Sequence, residues 1–324
     1  MSASFTVLIP VLNGMPYIEE CLLSLEQQTR KDFSVYVWDN GSTDGTRECL
    51  EAWVPKRLPG KLFFDQPLPL GDCRAALINA SPTECCALLD ADDRCYPNRF
   101  EAQLQFWDKR PELAMFGTHI QCIDADGNQI NQASELPLSA LDIRCHQLRA
   151  NAFRQSTMML SKAACQAVGN FRNLKCEDYE IQLRIAAKYE SANMEDTLLE
   201  YRVHHNSTSA GYGVDPGNMD FAINALSQNA PTAYGISAEA MTGLRTKKIP
   251  YAYPLLKEIA KTIAGQSKCQ EKDVFENKFF RAACSWMIRS DDWKTQLQLL
   301  RQEPFDLNTL RRVKQIAVNA TASD

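Results

Sequence analysis

Residues 5–11 form an unbroken apolar run that stops at Asn13-Gly14, the pattern of a strand buried on both faces and running into a loop. Ile18, Cys21, Leu22 and Leu25 then recur at helical spacing, which predicts an amphipathic helix over about 16–28 with Pro16 in its first turn. A second apolar run, 33–38, enters the polar stretch Asp39-Asn40-Gly41-Ser42-Thr43-Asp44-Gly45-Thr46, and a helix follows through Leu50 and Trp53. A strand near 62–64, a helix over about 72–80 and an apolar strand at 85–89 continue the alternation. Strands and helices in turn predict the α/β class, a doubly wound, mostly parallel sheet whose ligand lies beyond the carboxyl ends of the strands.

After a helix over about 97–109 the order changes. A strand near 114–123, an Asp126-Gly127 turn, a helix near 138–148, a strand near 157–160, a helix over 177–188 and an extended stretch at 197–203 make this part mixed. Glycine, proline and asparagine from about residue 211 mark a boundary, so the chain divides into 1–212 and 213–324. In the second part 220–228, 251–263, 273–288, 293–301 and 307–318 read as helices, a C-terminal helical subdomain.

With 324 residues, 45% hydrophobic and 23% charged, the chain is globular. It has no apolar run of about 18 residues and no basic leader, which predicts a cytoplasmic protein. Twelve cysteines without a CxxC pair indicate reduced thiols, neither a zinc site nor a disulfide framework. A net charge of -5 argues against nucleic acid as a partner bound through phosphate neutralisation. Residues 1–214 carry 20 basic and 28 acidic side chains, the remainder 15 and 12. That basic tilt fits either peripheral contact with an anionic membrane surface or an ordinary solvated face.

The chemistry concentrates in Leu89-Asp90-Ala91-Asp92-Asp93, three carboxylates directly after an apolar strand. Acids in such a place must be paired, protonated or metal-bound, and a divalent cation with phosphate oxygens would offset their repulsion. The plainer reading is a solvated turn, with Asp93 starting the helix near Pro97. Neither polar loop contains GxGxxG or GxxxxGK[ST], so a dinucleotide or P-loop site lacks its cradle.

Taken in order, the motifs resemble the family 2 glycosyltransferases, nucleotide-sugar enzymes of the GT-A (Rossmann-like) fold that transfer a sugar with inversion. The resemblance spans about residues 5–212. It rests on Val7-Leu8-Ile9-Pro10-Val11-Leu12-Asn13, on Asp39 to Thr46 as a D-x-G-S-x-D-x-T loop, and on Asp90-Ala91-Asp92 as the DxD motif. Glu177-Asp178 matches the late acidic pair, and Tyr201-Arg202-Val203-His204-His205 the closing Y-R-x-H segment.

Carried over, Pro10, Leu12, Asn13, Asp39, Asp90 and Ala91 belong to the nucleotide-sugar site, with Asp39 accepting the uracil imide N–H and Asp90 the ribose. Asp92 would hold Mn²⁺ or Mg²⁺ on the diphosphate, and His204, or His205 if the register slips, would complete that site. Asp178 matches the catalytic base, and Glu177 an orienting neighbour. Two departures stand out: Leu12 occupies a position often aromatic, and Arg74 lies in Gly71-Asp72-Cys73-Arg74 where the family has an A-R-N run. Arg74 is thus either a phosphate contact or a surface arginine. The layout is similar to bacterial lipopolysaccharide and capsule transferases, including β-1,3-N-acetylglucosaminyltransferases. It implies a hexose or N-acetylhexosamine moved from a UDP-sugar donor to a glycan or lipid-linked acceptor. A metal-dependent nucleotidyltransferase or phosphohydrolase, and a non-catalytic nucleotide- or glycan-binding relative, remain the alternatives.

Overall fold

A computed structural model describes residues 3–64, 66–130, 136–147, 151–205 and 207, with scattered positions between 224 and 261. It divides into two compact units, 1–140 with 152–219, and 141–151 with 220–324.

In the first unit, β1 (Phe5–Val11), α1 (Ile18–Glu26), β2 (Phe33–Asp39), α2 (Thr46–Trp53), β3 (Gly60–Phe63), α3 (Leu70–Ala80) and β4 (Cys85–Leu88) alternate as the periodicity predicts. Then come β5 (Arg94–Cys95), α4 (Arg99–Lys109), β6 (Leu113–Ile123), β7 (Met159–Ser161), α6 (Lys162–Ala167), α7 (Glu177–Lys188) and β8 (Glu190–Arg202), while α5 (Ala140–Gln147) falls almost wholly in the second unit. The eight strands make one sheet in the order β3-β2-β1-β4-β7-β6-β8-β5. β1 lies between β2 and β4, parallel to both, so Phe5, Val7, Leu8, Ile9 and Val11 are all buried and the strand needs no polar face.

α1 turns Ile18, Cys21, Leu22 and Leu25 onto this sheet. Burial of each aliphatic side chain among them contributes about 1.5–3 kcal/mol, and a charge at Leu22 would break the contact. Phe5, Phe33 and Phe100 join β1, β2 and α4 with ring centroids 4.9–5.4 Å apart.

Register decides where the loops emerge. Val11 pairs with Asp39 and Leu8 with Leu88, so the chain leaves β1, β2 and β4 on one edge of the sheet. α7 is fixed nearby by a buried pair, Glu180 with Arg184, whose guanidinium also donates to the carbonyls of Val168 and Asn170. Removing one partner of such a pair typically costs about 3–5 kcal/mol. Gly71 lets α3 lie against the segment before α7, because a Cβ there would stand 1.9 Å from the Arg172 carbonyl oxygen.

The fold departs from the periodicity in several places. β8 begins at Glu190, where only 197–203 read as extended: Ser191, Ala192 and Asn193 pair with Met115, Phe116 and Gly117 of β6, and bulges interrupt the register. A 3₁₀ turn over Gln155–Thr157 replaces the predicted strand start. β5 and α6 carry no sequence signal of their own; α6 is capped by Ser161, whose hydroxyl accepts from Ala164 N–H at 3.1 Å.

In the second unit, the described residues 224–225 and 227–228 of the predicted helix 220–228 are helical, as is Asn229 just after it. Asn229 Nδ2 donates to the Ala225 carbonyl there at 2.7 Å. The helices read over 251–263, 273–288, 293–301 and 307–318 lie outside the described residues, apart from Lys261.

Candidate active site

The loop after β1 is laced to the loop after β2. Asn13, at φ 52°, accepts from Thr43 N–H at 2.9 Å, and its own N–H donates to the Ser42 hydroxyl at 2.8 Å. Gly14 N–H donates to Thr46 Oγ1 at 2.8 Å and Met15 N–H to Asp44 Oδ2 at 2.9 Å. Gly45, at φ 95°, turns the chain into α2. Buried Asp39 accepts from Ser42 N–H at 3.0 Å, and Pro10 pairs with Trp38 beside it. Leu12 is 57% exposed on this edge, an aliphatic surface where the resemblance places a ring.

The loop after β4 is built differently. Asp90 N–H donates to the Ser156 hydroxyl at 3.0 Å, while Asp90 Oδ1 accepts from Arg74 Nη2 at 2.9 Å. Ala91 is half-buried between the two acids of the DxD motif. Asp92 Oδ2 meets His204 Nε2 at 3.0 Å across 112 residues of sequence. His205 is exposed, and it is His204 that stands beside Asp92.

Asp93 is fully buried and accepts from Arg202 N–H at 2.9 Å. It does not start a helix: α4 begins at Arg99 behind Asn98. Burial pushes the Asp92 carboxyl above its ordinary pKa, Asp90 adds to the rise, and His204 opposes it. Asp93 is pushed well up, by burial first and by Asp92 and Asp90 next.

Arg202 holds this loop from behind. Its guanidinium donates to the carbonyls of Asp92 and Ala125, each at 3.0 Å, and to Glu20 of α1 at 2.7 Å. The Tyr17 ring lies 4.4 Å from that guanidinium and 4.9 Å from the His204 ring. Tyr17 and Glu20 went unassigned in the sequence, and Arg202 stood there only as a member of the Y-R-x-H segment, without a role of its own.

Glu177 and Asp178 form the first turn of α7, where acids complement the helix dipole, behind Cys176 at φ 54°. Glu177 is buried and takes a hydrogen bond from Arg74 Nη1. Arg74 is therefore not a surface arginine: it is buried and joins Asp90 to Glu177. Burial pushes the Asp178 carboxyl up, Arg74 and the Tyr179 backbone N–H pull it back, and Asp90 raises it again. The structure thus brings Arg74, Asp90 and Glu177 together and Asp92 against His204, with Pro10, Asn13 and Asp39 on the same sheet edge.

Residues 6–168, just over half of the chain, match the family model of Glycosyl transferase family 2. The chain belongs to that family.

This family 2 chain is 30% identical over 204 residues to the amylovoran biosynthesis glycosyltransferase AmsE of Erwinia amylovora, a match covering 61% of this chain and 76% of AmsE. It is 27% identical over 226 residues to the O-antigen biosynthesis glycosyltransferase WbnJ of Escherichia coli, covering 63% and 81%. In fold it is similar to S. aureus TarS residues 1–349 in complex with UDP-GlcNAc, with a TM-score of 0.61, 16% identity, and coverage of 99% of this chain and 92% of that one. The mannosyltransferase PcManGT of Pyrobaculum calidifontis, in complex with GDP-Man and Mn²⁺, aligns with a TM-score of 0.53 at 16% identity over 93% and 86%. The expected GT-A fold and family are thereby shown.

A resident cation can be tested against the residues present. Asp92 Oδ2 and His204 Nε2, 3.0 Å apart, are near enough to share one ion. Among the described residues no group of three or more His, Cys, Asp or Glu side chains forms a cage. One carboxylate and one imidazole, with positions left for phosphate oxygens, fit the way Mg²⁺ and Mn²⁺ are held in phosphate-binding enzymes.

Proposed function

We propose that this glycosyltransferase moves a hexose or N-acetylhexosamine from a UDP-sugar to a hydroxyl of a glycan or lipid-linked acceptor, with inversion, in surface polysaccharide synthesis. The observation that carries the reading is the Arg74 bridge, which brings the DxD carboxylate Asp90 and the Glu177-Asp178 turn within the span of one guanidinium. A donor-binding loop and a base-bearing turn must approach each other this closely for one displacement at a single carbon. The names of the amylovoran and O-antigen relatives support the polysaccharide setting.

Asp39, its Oδ1 already committed to Ser42 N–H, would accept the uracil imide N–H with its other oxygen, and Asp90 would take the ribose hydroxyls. Pro10, Leu12, Asn13 and Ala91 would line the nucleotide. Asp92 and His204 would hold Mn²⁺ or Mg²⁺, which when bound stabilises charge developing on the departing diphosphate. Asp178 would take the proton of the acceptor hydroxyl as that oxygen attacks from the face opposite the diphosphate. A carboxyl raised toward neutrality by burial suits this task. Glu177, engaged with Arg74, would orient the turn. Lipid-linked acceptors would bring the chain to a membrane surface; no helix among the described residues is long and apolar enough to cross one.

The test is Asp178→Asn, which keeps the shape and removes the base. Transfer is expected to fall by about 10²- to 10⁴-fold while UDP affinity survives. Near-normal transfer, or an α-linked product by NMR from an α-configured donor, would reject the reading.

A further inference from the structure

Arg74 reaches two acidic elements distant in sequence. Nη2 donates to Asp90 Oδ1 at 2.9 Å and Nη1 to Glu177, with the arginine side chain only 8% exposed. Each terminal nitrogen of its planar fork is therefore engaged by a carboxylate of the protein itself. We propose that Arg74 is a positioning residue for transfer: by bridging Asp90 and Glu177 it fixes the spacing and the charge between the donor-side loop and the Asp178 turn, and it does not hold the donor phosphates. The inference rests on the reading of Asp178 as the base.

The physical case has two parts. Asp90 and the Glu177-Asp178 turn would repel one another without a cation between them, and α3 supplies that cation from a backbone packed against the approach to α7 through Gly71. A lysine could neutralise the acids but could not face two of them at a fixed angle. Among the described residues, the charged and titratable groups facing Asp178 include Arg74 from α3, Asp90 from the loop after β4, and Cys176 and Glu177 from its own turn, with Lys175 beside Cys176. Burial works against the Arg74 charge, but Asp90, Glu177 and Asp178 outweigh it, so the guanidinium stays protonated. Loss of its charge would let Asp178 take up a proton at higher pH.

The experiment follows transfer against pH in E177Q, E177Q/R74K and E177Q/R74Q. The Glu177→Gln background removes the carboxylate that loss of Arg74 would orphan. Melting temperature reports on the fold and calorimetry on UDP affinity. The acid limb of kcat/KM is expected to move up by about one to three pH units in E177Q/R74Q relative to E177Q, and to stay in place in E177Q/R74K. In E177Q/R74K kcat should fall about tenfold or more with UDP affinity retained, because the point charge of lysine no longer sets the geometry. Coincident acid limbs in the two double variants would overturn the proposal. So would a loss of UDP affinity of about tenfold in E177Q/R74K with kcat unchanged, which would make Arg74 a phosphate ligand. If E177Q/R74Q does not fold, the split between kcat and UDP affinity in E177Q/R74K decides alone. Failure of the base reading is seen separately: Asp178→Asn with Arg74 in place would then keep both its acid limb and its transfer rate.

Discussion

Two acidic loops leave the same edge of the sheet, one after β2 and one after β4, and their carboxylates are satisfied in opposite ways. In the first, Asp39 accepts from Ser42 N–H, and Asp44 accepts from the Met15 and Thr46 N–H groups and the Thr46 hydroxyl. Burial works against the Asp44 charge, but these donors outweigh it and hold the carboxyl below its usual range. In the second loop, Asp90 meets the Arg74 guanidinium, Asp92 the His204 imidazole, and Asp93 the Arg202 backbone N–H and the Ser156 hydroxyl. Burial and mutual repulsion there raise Asp92 and Asp93. The first loop is completed by donors of the chain itself, backbone N–H groups and a hydroxyl, one of them from the loop after β1. The second keeps carboxyls raised by burial and by one another, and that difference, more than the presence of acidic residues, sets the two loops apart.

Four substitutions break or sharpen this contrast. Asp92→Ala should have the largest effect: transfer should fall below detection, and UDP binding by calorimetry should become indifferent to added Mn²⁺ or to chelator. Retained dependence on Mn²⁺ would remove Asp92 from the metal site. Asp39→Asn should weaken UDP binding by about 10- to 100-fold, since the amide can still accept from Ser42 N–H but presents a donor to the imide. Unchanged affinity would exclude Asp39 from the base contact.

The remaining two concern stability against pH, measured with chelator present. The Asp44 pKa is lowered on folding, so its contribution is present above the unfolded value of 3.8 and lost as pH falls through the folded one. Asp44→Asn should therefore lower the melting temperature near neutrality and lose that effect in acid. The Asp93 pKa is raised on folding, so the cost of its charge is felt above the folded pKa and is relieved as pH falls toward 3.8. Asp93→Asn should melt higher than wild type at about pH 8, with the gap closing toward about pH 5. Parallel pH profiles for the two variants would erase the contrast.

The parallel half was legible because β1, β2 and β4 are covered on both faces, so their burial appears as apolar runs in the sequence itself. The start of β8 was not. Glu190 and the exposed Glu195 and Asp196 look like loop, and the strand is set by the pairing of Glu190 to Asn193 and of Thr197 with β6, about 77 residues earlier at Leu113 and Glu190, with Glu195 and Asp196 in the register break between them. Asp39, Asp90, Asp92, Asp178 and His204 could be singled out as candidates because they fall in a recognisable order of motifs. Arg74 was left between phosphate contact and surface because an arginine in a helix declares nothing of the acids 16 and 103 residues away that bury it. The role of Arg202 was similarly silent: besides Glu20, 182 residues away, it donates to carbonyls, and carbonyls have no letter in the sequence.

The pairing of Asp92 with His204 also has a consequence for the order of events during synthesis. The 112 residues between them take about 6–22 s to translate at about 5–20 residues per second. Through that interval a nascent chain holds its acidic loop without the imidazole that faces it. The Glu177-Asp178 turn is made 26 residues before His204, which follows directly on β8, the strand between β6 and β5. The contact between Asp92 and His204 therefore forms only once residue 204 is made, whereas a chain stopped just short of it already carries Arg74, Asp90, Glu177 and Asp178.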